Sequence, residues 1–228
     1  MENLLDYPNP LKRRTNTRLI CGEYSFSRDG EKWSNINVPY CPESELSGVE
    51  YKDFIPLCYY KRKFTIGDIG DNRAILHFGA VNYYTEVFVG GAFVGSHKGG
   101  YTPFEFEITD FVRGGENELL VRVRTGDIYN SARGKQSYKK QSFGCFYTRV
   151  TGIWQPVWLE FAPKNRIRDF YFRPDLANSR VNVELLTYGK GNYRIRAYYD
   201  GREVGSAAGE VAYKTALTLE LSETHLWR

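Results

Sequence analysis

Apolar and polar residues alternate through much of this chain, in short runs broken by glycine, proline and Asn/Asp turns. A period of two puts successive side chains on opposite faces of a pleated strand, so the pattern predicts half-buried sheet throughout. The clearest stretch is FGAVNYYTEVFVGGAFVGSHKGGYTPFEFEITDFV, 78–112. Val87, Val89, Phe93 and Val94 flank Gly90 and Gly91, a hairpin signature, because glycine takes positive φ without steric cost. Beyond Gly99, Gly100 and Pro103, the residues Phe104, Phe106 and Ile108 alternate with Glu105, Glu107 and Thr109 as the two faces of a strand should. Glu105 and Glu107, two residues apart, share the outward face and read as solvent-directed polarity with no catalytic role.

Further strands are predicted at 19–26 (LICGEYSF), 58–66 (CYYKRKFTI) and 73–78 (RAILHF), the last with His77 as a hydrogen-bonded sheet residue. Another carries Leu120, Val121 and Val123, and a final one Ile153, Val157, Leu159 and Phe161. Residues 1–18 read as an extended lead-in. Two connections are too long for hairpins: 38–56, with three prolines and a glycine, and 128–145, a polar segment rich in Gly, Ser and Gln. Long ordered loops often carry function, and covering a sheet edge is the plain alternative. Pro163 is a natural boundary. Past it the pattern restarts with about five short strands, with turns at Pro174, 189–192 and 200–201, where an immunoglobulin-like sandwich wants about seven.

Composition supports this reading. Eighteen Tyr and 14 Phe suit pleated, half-buried surfaces, and a single Met argues against a helical, Met-packed interior. The 31 basic residues are dispersed among 27 acidic ones for a net charge of +4, so no nucleic-acid partner is implied. Cys21, Cys41, Cys58 and Cys145 have neither CxxC nor zinc-finger spacing, and the amino terminus lacks an apolar export segment. Reduced thiols in a cytoplasmic protein are the expectation, with no metal site and no cofactor. No apolar run reaches the ~18 residues of a membrane helix, so no membrane partner is expected.

Four segments, PESELSG (42–48), the 78–109 stretch, RGKQ (133–136) and YTRVTGIWQPVWLE (147–160), together resemble the amino-terminal part of glycoside hydrolase family 2, over roughly residues 6–161. The family contains β-galactosidases, β-glucuronidases and β-mannosidases. The resemblance implies an all-β chain: a galactose-binding-like jelly-roll β-sandwich over 1–163, then a partial immunoglobulin-like β-sandwich over 164–228. The family's catalytic TIM barrel has no counterpart here. Retaining hydrolysis needs two carboxyl groups about 5 Å apart, and a barrel takes about 250 residues of alternating strand and helix. Catalytic residues are therefore expected beyond residue 228.

By the same resemblance, loops 38–56 and 128–145 buttress the barrel of the parent chain and reach the rim of its sugar site. In long β-galactosidases of the family, an Asn in the first loop and an Asp before the R-x-S/T-G-I motif touch the sugar. The matching positions here are Glu45 and Phe146, which depart from that pattern. Arg133, Lys135 and Gln136 can donate to sugar hydroxyls or a uronate, or can belong, with Lys139 and Lys140, to a flexible basic loop ordered only against the barrel. Trp154 and Trp158 read as packing residues, and Tyr101 and Phe104 as core or interdomain contacts. The implied function is the non-catalytic amino-terminal portion of a retaining glycosidase acting on terminal β-linked sugars, with a homo-oligomer possible. A free-standing carbohydrate-binding module and a protein-interaction sandwich are the alternatives.

Overall fold

The computed structural model describes residues 10–126 and 130–226. The first nine residues of the lead-in, and Ile128 and Tyr129 at the start of the second long loop, lie outside this set. The chain divides into two units, Met1–Ala162 and Pro163–Arg228. No α-helix occurs among the described residues.

Twelve strands build the first unit. In chain order they are β1 (Thr17–Leu19), β2 (Gly22–Ser27), β3 (Ser34–Val38), β4 (Leu57–Ile66), β5 (Arg73–Phe78), β6 (Val81–Asn82), β7 (Tyr84–Val89), β8 (Ala92–Lys98), β9 (Phe104–Glu107), β10 (Gly115–Arg124), β11 (Gly152–Ile153) and β12 (Val157–Ala162). A six-stranded sheet runs β3-β2-β4-β10-β7-β8, a four-stranded one β1-β12-β5-β9, and β11 pairs with β6. All the pairings are antiparallel.

Alternation decides which face is buried. In the larger sheet Tyr60 on β4 lies opposite Val121 on β10, which lies opposite Val87 on β7. In the smaller sheet Leu159 on β12 lies opposite Leu76 on β5, which lies opposite Phe106 on β9. These residues join one apolar core with Phe26, Phe78 and Leu119. The hairpin turn falls on Gly90 and Gly91, both at positive φ (57° and 83°), the backbone a primed turn requires.

Local reading erred at two places in this unit. The predicted strand 19–26 is two strands in different sheets, because the chain crosses between layers at Ile20 and Cys21 while its alternation continues; Ile20 is buried at the crossing and bonds the Val157 carbonyl at 3.0 Å. On β10 the core face carries Leu119, Val121 and Val123, while Leu120 is only half-buried on the opposite face.

The second unit is one antiparallel sheet of three strands: β13 (Arg166–Asp175), β14 (Arg180–Tyr199) and β15 (Arg202–Glu220). Five strands were expected from the breaks. Pro174 does not end a strand, because β13 is an edge strand where a missing N–H is tolerated. The glycine-rich 189–192 stretch is a register shift inside β14, with Gly189 at φ 78° and Tyr213 on β15 at φ 58°. Side chains from both sides of this irregularity (Val183 and Leu185 before it, Tyr193 and Ile195 after it) pack into one cluster with Leu217 and Leu219. Bulged strands can thus bend and supply two layers. The turn at Asp200 and Gly201 is as expected.

Candidate functional site

The two long connections of the first unit are bound to each other by side chains from YTRVTGI. Arg149 is only 5% exposed. Its guanidinium donates to the carbonyls of Ser137, Lys139 and Lys140 on the second loop and of Lys52 on the first. It also lies over the Phe54 ring at 4.4 Å, a cation–π contact. Lys140 and Asp53 add an ion pair across the loops at 2.6 Å. A planar fork with five donors suits this task, whereas an ammonium has no fixed geometry.

Glu43 makes the second fastening. It is 4% exposed, and its carboxylate accepts the Thr151 hydroxyl at 2.6 Å and the Thr151 amide at 3.2 Å. Burial raises its pKa above the ordinary carboxylate value, against the opposing pull of the Thr151 bonds. Cys41 beside it is pushed up to about 11 by burial and by the Glu43 charge. The next residue, Gly152, has φ 70°, and a Cβ there would stand 2.0 Å from the Tyr60 hydroxyl. The T-G pair therefore combines a hydrogen-bonding residue with one that admits no side chain.

Gln136 is the third fastening. Its Nε2 donates to the Tyr101 hydroxyl at 2.7 Å and its Oε1 accepts the Val150 amide at 2.9 Å. The Tyr101 hydroxyl in turn donates to the Arg133 carbonyl at 2.8 Å. Tyr147 exchanges backbone bonds with Lys135 and Ser137. The described part of the second loop is thus ordered by this chain's own residues. Tyr101, expected in the core or between domains, is half-exposed and serves as this hydrogen-bonding post, while Trp154 donates its Nε1–H to the Gly100 carbonyl at 2.8 Å.

The sequence-predicted rim residues divide accordingly. Gln136 is committed to internal bonds. Lys135 is exposed, and Arg133 is half-buried with no hydrogen bond or ion pair from its guanidinium among the described residues. Glu45 sits exposed on a single 3₁₀ turn, Glu45–Ser47, capped by Ser44. Phe146 is half-buried, stacked on Phe143 at 5.0 Å and edge-on to Tyr138, with Lys139 over the Phe143 ring at 4.3 Å. Beside them Tyr147 is 67% exposed. The outer end of this loop therefore offers aromatic faces and cationic donors, the materials of sugar stacking and hydroxyl or carboxylate bonding. No group of three or more His, Cys, Asp or Glu suited to a metal occurs among the described residues.

Glu43 and Arg149 lie inside the motifs that carried the resemblance, yet local pattern assigns them no role. Neither stands out from its sequence neighbours, Pro42 and Ser44 or Thr148 and Val150, and their partners lie as far as 108 and 97 residues away.

A second polar cluster lies on the outer face of the four-stranded sheet. His77 bonds Glu160 at 2.9 Å through Nε2 and Glu105 at 3.2 Å through Nδ1. It also stacks on Trp158 at 4.8 Å, and Arg14 pairs with Glu160 at 3.3 Å. Burial opposes the imidazolium, but the two carboxylates outweigh it and the His77 pKa is raised.

The first unit is an all-β sandwich whose two long connections are fastened into one platform by residues of the R-x-T-G and R-G-K-Q segments. Residues 19–163 match the family model described as "Glycosyl hydrolases family 2, sugar binding domain", and the chain belongs to that family. It is 28% identical over 167 residues to a β-galactosidase of Thermoanaerobacter pseudethanolicus, covering 72% of this chain and 22% of that one. A β-galactosidase of Clostridium acetobutylicum is 28% identical over 189 residues, covering 77% of this chain and 20% of that one. The solved β-D-glucuronidase of Dictyoglomus thermophilum superimposes with a TM-score of 0.75 at 24% identity, over 97% of this chain and 40% of that chain. The chain thus spans about a fifth of the length of these curated relatives.

Proposed function

We propose that this chain is the amino-terminal, non-catalytic portion of a retaining glycosidase that removes terminal β-linked sugars. It supports a catalytic barrel and supplies loops to the rim of the substrate site. The single observation that carries this reading is the fastening of the first loop to Thr151, 108 residues on from Glu43, and of the two loops to each other by Arg149, into one platform on the sandwich. A platform of this kind holds contact residues in place for a reacting centre supplied elsewhere. The relatives named β-galactosidase supply the activity class.

Assays of this chain with nitrophenyl β-galactoside, β-glucuronide and β-mannoside are expected to give no turnover. A longer protein that carries it should cleave one of the three and lose most of that activity when residues 1–162 are deleted. Turnover by the isolated chain, or an unchanged rate after the deletion, overturns the reading.

A further inference from the structure

Strand register in the second unit gathers polar side chains on one face of its sheet. Tyr171 on β13 lies opposite Glu184 on β14, which lies opposite Ala216 on β15; two residues along, Arg173 lies opposite Asn182, which lies opposite Thr218. Residues two apart on a strand share a face, and directly opposed Cβ atoms are about 5 Å apart. These six side chains therefore stand together, while Val183 and Leu217 between them turn to the apolar cluster on the other face. Ala216 makes the face concave, because its methyl group ends a row that begins with a tyrosine and a glutamate. The groove that results has room for about 200 Å³.

The bonding capacity of the walls is only partly used. Glu184 pairs with Lys214 through Oε2 at 2.9 Å, which leaves Oε1 to accept. Asn182 accepts the Thr218 hydroxyl at 3.1 Å through Oδ1, and its two N–H donors have no partner among the described residues. Arg173 is exposed, with no side-chain hydrogen bond or ion pair among the described residues. Tyr171 is 46% exposed, and its hydroxyl donates to Asp169 at 3.1 Å. Charge narrows the choice of ligand. The same face carries Arg173, Lys214 and Arg180 against Asp169, Asp175, Glu184 and Glu220, a near balance that favours neither an anion nor a cation. A hydroxyl is both donor and acceptor, so a neutral polyol meets the Arg173 and Asn182 donors and the Glu184 acceptor together. The apolar face of a sugar ring suits the Tyr171 ring. The volume corresponds to roughly six or seven water molecules, which suits a single pyranose.

We propose that this groove is a binding site for one neutral pyranose, oriented by Arg173, Asn182 and Glu184 over the floor at Ala216. Its walls belong wholly to the second unit, so the inference does not depend on the function assigned to the loop platform of the first.

The test is proton–nitrogen NMR of the whole chain, read at the Asn182 side-chain amide and the backbone amides of 216–218. Methyl β-galactoside, methyl β-glucoside and methyl β-mannoside are the probes, with glycerol and sodium acetate as open-chain and anionic controls at constant ionic strength. At least one glycoside is expected to give saturable shifts that neither control gives. A preference among the three shows that hydroxyl stereochemistry is read, and equal affinity assigns recognition to the ring; both support the site. Ala216 is exposed, so Ala216→Phe fills the groove from the solvent side, and Asn182→Ala removes the unpartnered donors. Each should weaken binding at least tenfold while the backbone amides of Val183 and Leu219 keep their resonance positions. No saturable shift with any glycoside, equal or tighter binding of glycerol or acetate, or unchanged affinity in either folded variant overturns the proposal.

Discussion

Glu43 accepts both the amide and the hydroxyl of Thr151, joining the first long loop to the strand-entry residue 108 positions later. The same carboxylate is buried, so it stabilises through two bonds and costs through desolvation. The pair should be tightly coupled: Thr151→Val and Glu43→Ala are each expected to lower stability by about 1–3 kcal/mol. The double variant should lose less than the sum. Denaturant unfolding of the four species measures the coupling, and strict additivity refutes it.

Glu43 also sets a pH dependence of defined sign. Its folded pKa lies above the unfolded value, so the native state binds the proton more tightly and gains stability as pH falls through the folded pKa towards the unfolded one. Compared with Glu43→Gln, the wild type should gain stability on moving from neutral pH towards the carboxylate range. A constant difference between the two proteins across that range contradicts the assignment.

His77 has the opposite consequence. Its folded pKa is raised by Glu105 and Glu160, so its contribution is fully present below the usual histidine range and is lost as pH rises through the folded value. NMR titration of the ring should place its midpoint above the ordinary histidine value, and Glu160→Gln should lower it. A midpoint at or below the ordinary histidine value rules out the two-carboxylate clamp.

Gly152→Ala meets two obstacles, a φ of 70° and a Cβ 2.0 Å from the Tyr60 hydroxyl. The expected loss is about 2–4 kcal/mol, from strain and overpacking together. Adding Tyr60→Phe removes the contact but not the backbone strain, so thermal unfolding of the double variant should recover part of the loss. Full recovery indicates that only the contact matters.

Arg149→Met removes the donors shared by Lys52, Ser137, Lys139 and Lys140 while keeping an apolar stem on Phe54. Limited proteolysis should then cut within residues 138–146 at least tenfold faster, with the sandwich core still protected. Cleavage at the wild-type rate means that these carbonyl bonds do not order the loop.

Much of the sandwich was legible because its determinants are local. Strand β5 begins and ends where RAILHF does, β4 adds only Leu57 to CYYKRKFTI, and Gly90-Gly91 marks its hairpin by backbone sterics alone. The layer crossing at Ile20 was not legible, since alternation continues across a change of sheet. Nor were the long strands of the second unit, where Gly189 bends β14 without ending it. The site was the least visible part: the buried acid Glu43 is explained by a partner 108 residues away, and Arg149 by Lys52, 97 residues away, as well as by carbonyls of the neighbouring loop. Tyr101 shows the same limit, since its hydroxyl post depends on Gln136.

The irregularity in β14 and β15 bears on how the second unit folds. Both strands belong to one hairpin that closes at Asp200 and Gly201, and their register runs from Tyr199↔Arg202 out to Arg180↔Glu220. Pairing can zip outward from that turn, each step closing a loop only slightly larger than the last, so the entropic cost of closure accrues gradually. Low contact order of this kind favours rapid formation, with hairpins closing in about 1–10 μs. The register shift beside Gly189 leaves residues of the outer and inner halves in one apolar cluster, most of it supplied by this single hairpin, with Phe170 added from β13.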